Sequence, residues 1–395
     1  MDEYVISNIS AILKKVIAPR VQELLPNETP ILQKVEVNSG VEPLGNNEFY
    51  VSLRTGRHSG VATLPEGAKL NSGKATWSQA RVQAKYTFGA FKVSDQAIEA
   101  SKHSKGAIIS LLEENERALR EDLGRHMNRQ FVGAGDETVA YANGAGSPST
   151  TLIVDHNPAG SVTEDREGTK YLAAGMYIKI GSSDIVQIVS VDSETQVTIG
   201  SATWSDNDPV KIASSDLTNV SDEMDGFMAA VDSTGTFQNI ARSGNPWWQV
   251  ARETTNEVLT VERVVKEVLK ASQFGKINVG FTNISLFDKF GGLLTALKKT
   301  ADLKEVLSGG WTGIDIMPGT GLMIDFDIPG GVIQLWDLSS FTIGRLTDLS
   351  WLDQGNGNVL RINDYAEWQG VLRHYGNLAC KNVRANRLLT AKKIA

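Results

Sequence analysis

The 395-residue chain has one cysteine, Cys380, which excludes an internal disulfide and a thiolate zinc site. No stretch reaches the ~18 uninterrupted apolar residues that a membrane-spanning helix needs. Its five histidines, His58, His103, His126, His156 and His374, are scattered, and no two stand four apart as in a helical metal site. No Gly-x-Ser-x-Gly elbow supplies a hydrolase nucleophile. Gly133-Ala134-Gly135 follows a helical stretch, whereas a dinucleotide loop follows a strand and opens a helix. Carboxylates cluster at Glu164-Asp165, Asp206–Asp208 and Asp222–Asp225, without the spacing of a Ca²⁺ loop. The start, Met1-Asp2-Glu3-Tyr4, lacks the basic flank and apolar core of a secretory signal. These absences leave no catalytic constellation, cofactor site or metal site to expect, so the chain reads as a non-enzyme.

What is present is an ordinary globular composition, 41% hydrophobic and 22% charged, at a length that implies two or three domains. The net charge of −7 hides an asymmetry. Residues 51–106 carry nine Lys/Arg against three Asp/Glu, and residues 133–236 carry four against sixteen. Residues 357–395 carry seven against two. Blocks of opposite sign suit copies that meet unlike patch to unlike patch, which fixes register more than affinity. Separately solvated faces are the plainer reading.

The strongest positive signal lies in residues 46–132. Phe49, Val51 and Leu53 alternate with Tyr50, Ser52 and Arg54; Val82, Ala84, Tyr86 and Phe88 alternate with Arg81, Gln83, Lys85 and Thr87. A period of two marks half-buried strands. Between them Thr55–Gln79 is rich in Gly, Ser and Lys, and so long a connection needs a job to justify it. Residues 104–132 then place Ile108, Leu111, Leu112, Leu119, Leu123, Met127 and Phe131 near helical spacing. A two-stranded arm is marginal alone in water, so it is expected to pack on a neighbouring subunit. The candidate inter-subunit contacts are Arg54, Arg57, Lys69, Lys74, Trp77 and Arg81 on the arm, with Trp247 and Trp248 elsewhere. A place in the subunit's own core is the alternative for at least one of that tryptophan pair.

Elsewhere the signals are shorter. Ile12, Val16 and Ile17 begin a helix that Pro19 disrupts. Gly133–Ser149 reads as a linker. Five β-type runs follow, Thr151–Val154, Met176–Ile180, Ile185–Val191, Gln196–Ile199 and Val210–Ile212, and suggest a small all-β module. From residue 257 the pattern becomes α/β. Thr260 is a candidate N-cap, Ser285 with Asp288 resembles a capping box, and Leu322–Ile328 with Val332–Trp336 reads as a hairpin.

Several fragments recur in a known order: Leu64-Pro65-Glu66-Gly67, then Val93–Ser101, Met224-Asp225-Gly226, Asn245–Trp248 and Ile328–Val332. Together with the order of arm, helix and α/β part, they resemble the major capsid protein of tailed double-stranded DNA bacteriophages. The resemblance covers nearly the whole chain and rests on order more than on any one fragment. It implies an α+β chain with the Hong Kong 97 type capsid fold: an N-terminal arm over 1–45, an extended hairpin or E-loop over 46–92, and a spine helix with the start of the peripheral domain over 93–147. An inserted β-domain over 148–215, peripheral domain over 216–256, axial domain over 257–359 and a peripheral return over 360–395 complete it. It further implies self-assembly of hexamers and pentamers into an icosahedral head, assembled in the host cytoplasm and carried in the virion. Packaged double-stranded DNA would be enclosed without sequence-specific binding; a separate scaffolding protein, a portal and decoration proteins are the other expected partners, and no membrane is. An encapsulin-like nanocompartment shares the fold and is the nearest alternative, and a soluble enzyme or binding module is the alternative of another class. Some family members join Lys and Asn covalently from the arm; neither the partner Asn nor the catalytic Glu is identifiable for Lys69 or Lys74, so the sequence gives no ground for predicting a cross-link.

Overall fold

The structure, a computed structural model, describes residues 31, 47–96, 105–156, 168–214, 222–297, 314–317, 319–352, 359–361 and 366–394. The expected helix at Ile12–Ile17 and the side chains of Ile108, Leu111 and Leu112 lie outside the described residues.

Strands β1 (Glu48–Arg54) and β2 (Trp77–Gln83) pair antiparallel, with Phe49 opposite Val82 and Val51 opposite Ala80. The predicted alternation holds here, since Phe49, Val51, Leu53, Ala80 and Val82 are all buried. It reverses after Ala84. In β3 (Lys85–Ser94) Thr87 is buried while Tyr86 and Phe88 are exposed. The cause is a change of partner, because β3 leaves the hairpin and pairs with the long strand Glu367–Cys380. One face of that sheet lies on helix α1 (Lys105–Val132): a Cβ at Gly89 would stand 2.9 Å from Leu119. Thr87 and Gly89 face the helix, and Tyr86 and Phe88 take the other side. Within α1, Leu123, Met127 and Phe131 form the expected buried stripe.

The expected β-module is a closed six-stranded barrel. Its strands are β4 (Thr138–Ala142), β5 (Gly146–Asp155), β6 (Tyr177–Ile180), β7 (Val186–Ser193), β8 (Gln196–Trp204) and β9 (Pro209–Ala213). They close in the order β4-β5-β8-β7-β6-β9. Leu152, Val154, Ile178, Ile180, Val197 and Val210 fill the centre. The stretch expected to be a linker therefore contains β4 and the start of β5. Thr138-Val139-Ala140-Tyr141-Ala142 is weak as an isolated strand signal, and it pairs because closure leaves β5 and β9 each needing a neighbour.

The body resumes with α2 (Phe227–Ala230) and the short hairpin of β10 (Thr236–Phe237) and β11 (Ile240–Ala241). Next come β12 (Glu257–Val258) and α3 (Val261–Ala271), whose Thr260 cap accepts a bond from the Arg263 amide at 3.3 Å, as expected. After β13 (Val279–Thr282), helix α4 (Ile284–Leu297) is capped by Asn283, whose Oδ1 accepts from the Leu286 amide at 3.1 Å. The cap is thus two residues ahead of the predicted Ser285 box. Strands β14 (Ile314–Met317), β15 (Thr320–Ile324) and β16 (Ile333–Trp336) complete this sheet. β15 and β16 are not a hairpin: β13 lies between them, parallel to β15 and antiparallel to β16. Residues 325–332 instead cross the end of β13.

β17 (Phe341–Trp351), β18 (Val359–Arg361) and β19 (Glu367–Cys380) join β3 in the sheet above the helix. β20 (Arg387–Leu389) pairs with β16, and β21 (Lys392–Lys393) pairs with β12. Phe227, Trp336 and Phe341 stack where the two sheets meet, with centroids 4.5 and 4.7 Å from Trp336. Large aromatic area at that junction welds the parts into one body.

Candidate functional site

The base of the hairpin belongs to the subunit. Its apolar face joins the main core with Met127, Phe131 and Phe341, while Arg81 pairs with Glu48 at 3.1 Å on the other face. Past Arg54 and Trp77 the two legs stay together through backbone bonds, Thr55 N to Thr76 O at 2.9 Å and Ser59 N to Lys74 O at 3.3 Å. They touch at Gly60 and Gly73, where a Cβ on Gly73 would stand 2.3 Å from the Gly60 nitrogen. Beyond, Gly67 at φ +78 turns the chain, and the Ala68 amide donates to Pro65 O at 3.2 Å.

This tip has polar order and no apolar interior. Val61 is 84% exposed, Leu70 83% and Trp77 64%. Arg54, Arg57, Lys69 and Lys74 are exposed, and none makes an ion pair among the described residues. The structure thus brings six predicted residues, Arg54, Arg57, Lys69, Lys74, Trp77 and Arg81, onto one arm. It does not bring the tryptophan pair there. Trp248 is buried in the subunit core, donating its indole N–H to Phe237 O at 3.1 Å, and Trp247 packs half-buried beside it. Trp248 is therefore corrected from interface anchor to core residue, because its polar edge is already satisfied inside.

Two features escaped the sequence. The first is an aromatic strip on the outer face of β3 and β19. Tyr86 and Phe88 stand edge-on to Tyr375 at 5.0 and 5.5 Å, and the Arg373 guanidinium lies 5.6 Å over the Tyr375 ring. The second is a buried polar node joining the helix, the barrel and the segment after β15. Arg129 pairs with Glu223, both nearly inaccessible to solvent, and lies 5.6 Å over the Tyr171 ring. The Tyr171 hydroxyl donates to Asp327 Oδ1 at 2.7 Å, and Asn128 Nδ2 donates to Asp327 Oδ2 at 2.7 Å and to both oxygens of Asp325. Lys170 donates to Phe326 O and lies 3.5 Å from Asp327. Burial and the neighbouring Asp327 charge push Asp325 up to about 6, and burial with Asp327 raises Tyr171 as well. Burial beside Arg129 lowers His126 to about 4. Asn128-Arg129-Gln130, a wholly polar triplet between Met127 and Phe131, was the available signal.

A cavity of about 340 Å³ adjoins this node, between Arg129, Tyr171 and Asp327, the barrel residues Thr138 and Tyr141, and Arg252 of the body. Among the described residues, no group of three or more His, Cys, Asp or Glu could hold a metal ion. No described helix is long and apolar enough to cross a membrane.

No family model matches the chain, and no curated protein matches it in sequence. Solved structures do. It is similar to a chain of the cyanophage A-1(L) capsid asymmetric unit at 13% identity, covering 92% of this chain and 93% of that one, with a TM-score of 0.54. Weaker likenesses are to the capsid of Myoviridae phage XM1, at 8% identity over 92% of each chain (TM-score 0.46), and to an encapsulin complex from Synechococcus elongatus. The latter is 10% identical over 93% and 90% of the two chains, with a TM-score of 0.48. Such identities concern the fold. The chain has a phage-capsid type fold, the Hong Kong 97 type, in which a closed barrel follows the long helix.

Proposed function

We propose that the chain is the major capsid protein of a tailed double-stranded DNA phage, assembling through hexamers and pentamers into an icosahedral head. The observation that carries this reading is the arm, which exposes Val61, Leu70 and Trp77 at a tip with no core of its own. Isolated in water such a tip gains nothing from folding. Repeated against neighbours in a closed shell, even ~1 kcal/mol per contact shifts assembly strongly. The surface we assign to receive it is the Tyr86–Phe88–Tyr375 strip of the next subunit, where Tyr86 and Phe88 are exposed beside the half-buried Tyr375. Basic residues along the arm favour carboxylates beside that surface. Small bends between arm, helix and body let one sequence fill both ring types.

On this reading the protein assembles in the host cytoplasm and resides in the virion, encloses DNA without reading it, and works with portal, scaffolding and decoration proteins. Its role is structural rather than enzymatic. Particles recovered from the producing cells test it by their size and contents. Closed particles filled with double-stranded DNA support the head; closed particles holding protein cargo and no DNA contradict it in favour of a nanocompartment. A chain that stays monomeric at every stage contradicts both.

A further inference from the structure

We propose that the outer wall of the barrel is a second self-association surface, on which barrels of two neighbouring subunits meet face to face across a two-fold axis. This rests on the shell reading above and adds a contact separate from the arm. The placement follows from the closed ring. β4 contributes Thr138, Val139 and Tyr141 to the cavity against the body, and β7 lies diametrically across the ring from β4. The wall of β5, β8 and β7 therefore turns away from its own subunit on its β7 side.

That wall is neutral in a chain where 22% of residues are charged. β5, β7 and β8 contain no Lys or Arg, and their exposed acid is Asp192, already bonded by Ser190 and Thr198 at 2.7 Å each. The cations of the ring lie on the other strands, Lys179 on β6 beside β7 and Lys211 on β9 beside β4. On the wall Ile153, Val189 and Val191 are exposed, Val189 by 64%, among Thr151, Gln196 and Thr198. Charge depletion around exposed aliphatic groups is the composition of an interface core. It also selects the occupant. On the described residues of these three strands an acidic partner finds no cation and a basic one finds only Asp192, already bonded, so the fitting surface is another neutral wall. The same wall on a second copy is one, and identical faces meet by two-fold symmetry.

Area sets the conditions. Three strands about 4.8 Å apart and about eight residues long give roughly 400 Å² a side, or roughly 800 Å² in total. That is too small to hold a dimer in dilute solution. It suffices between subunits already fixed side by side in a shell, where effective concentration is high.

The test uses the full-length chain with single replacements on the wall, V189C, V191C and I153C, and S205C in the exposed turn between β8 and β9 as control. The native Cys380 is buried, and burial pushes its thiol up to about 12, so it stays silent. Assembled particles are treated with a mild oxidant or a short bismaleimide and run on denaturing gels. Loss of monomer into a covalent dimer for at least one wall variant, and not for S205C, is expected. Normal particles with no wall variant cross-linking above S205C overturn the inference and leave the shell reading intact. V189K provides a second readout: the particle should melt earlier while the dispersed subunit melts unchanged, and an unchanged particle counts against the contact. If the unmodified chain forms no particles, the shell reading fails first and this inference falls with it.

Discussion

The arm and the barrel both leave the same body, and they reach order by opposite routes. The barrel closes on itself, so every strand has two neighbours and Leu152, Ile178, Val197 and Val210 are fully buried within it. The arm past Arg54 keeps only two strands' worth of backbone bonds and leaves Val61 and Leu70 in water. One outgrowth is complete in a single chain; the other, on the function proposed above, acquires its apolar partners when a second copy arrives. The difference separates residues that fold the subunit from residues that assemble it, and substitutions should sort the same way.

The largest effect is expected where the barrel is tied to the body. Arg129→Ala leaves Glu223 buried without its cation, and breaking such a pair costs about 3–5 kcal/mol. Denaturant unfolding should show the full loss, and a change below ~1 kcal/mol would mean that water reaches Glu223 and the node is loose. Next come paired truncations in the two outgrowths. Leu152→Ala should cost about 2–5 kcal/mol in the subunit, whereas Leu70→Ala should stay within about 0.5. Equal costs would erase the distinction between the barrel and the arm.

A pH effect of similar or smaller size comes from Asp325. Its folded value, raised by burial to about 6 from the usual 3.8, means that the folded subunit holds this proton more tightly than the unfolded chain. The contribution is fully present below about pH 4 and is lost as pH rises through about 6, amounting to about 3 kcal/mol. Asp325→Asn should flatten that part of the stability curve. A slope unchanged by the substitution would assign the titration to another group. The smallest expected effect is screening: with the charged arm on a neighbour, particle stability should fall modestly as salt rises, since charges interact over ~8–10 Å. Particles indifferent to salt would leave the arm's apolar side chains as its whole contribution.

The arm was legible in the sequence because a period of two and a helical stripe are local patterns. Phe49-Val51-Leu53 and Leu123-Met127-Phe131 announce their faces without help from distant residues. The reversal at Tyr86 was hidden, since it depends on β3 finding β19 almost three hundred positions away. The sixth barrel strand was hidden for the same reason: Thr138–Ala142 is weak alone and strand-like only between β5 and β9. Adjacency also misled, making β15 and β16 look like a hairpin although β13, from an earlier segment, separates them. The polar node was least visible, because Asn128, Tyr171, Glu223 and Asp325 come from four segments and meet only in the fold.

The central claim is that the tip serves other copies of the chain and not its own. Replacing Glu66–Thr76 by a short Gly-Ser turn tests it most directly, with circular dichroism and thermal melting on the subunit and negative-stain microscopy on its assembly. The account predicts an unchanged spectrum and melt for the dispersed subunit and no closed particles. Normal shells from the shortened chain would contradict it.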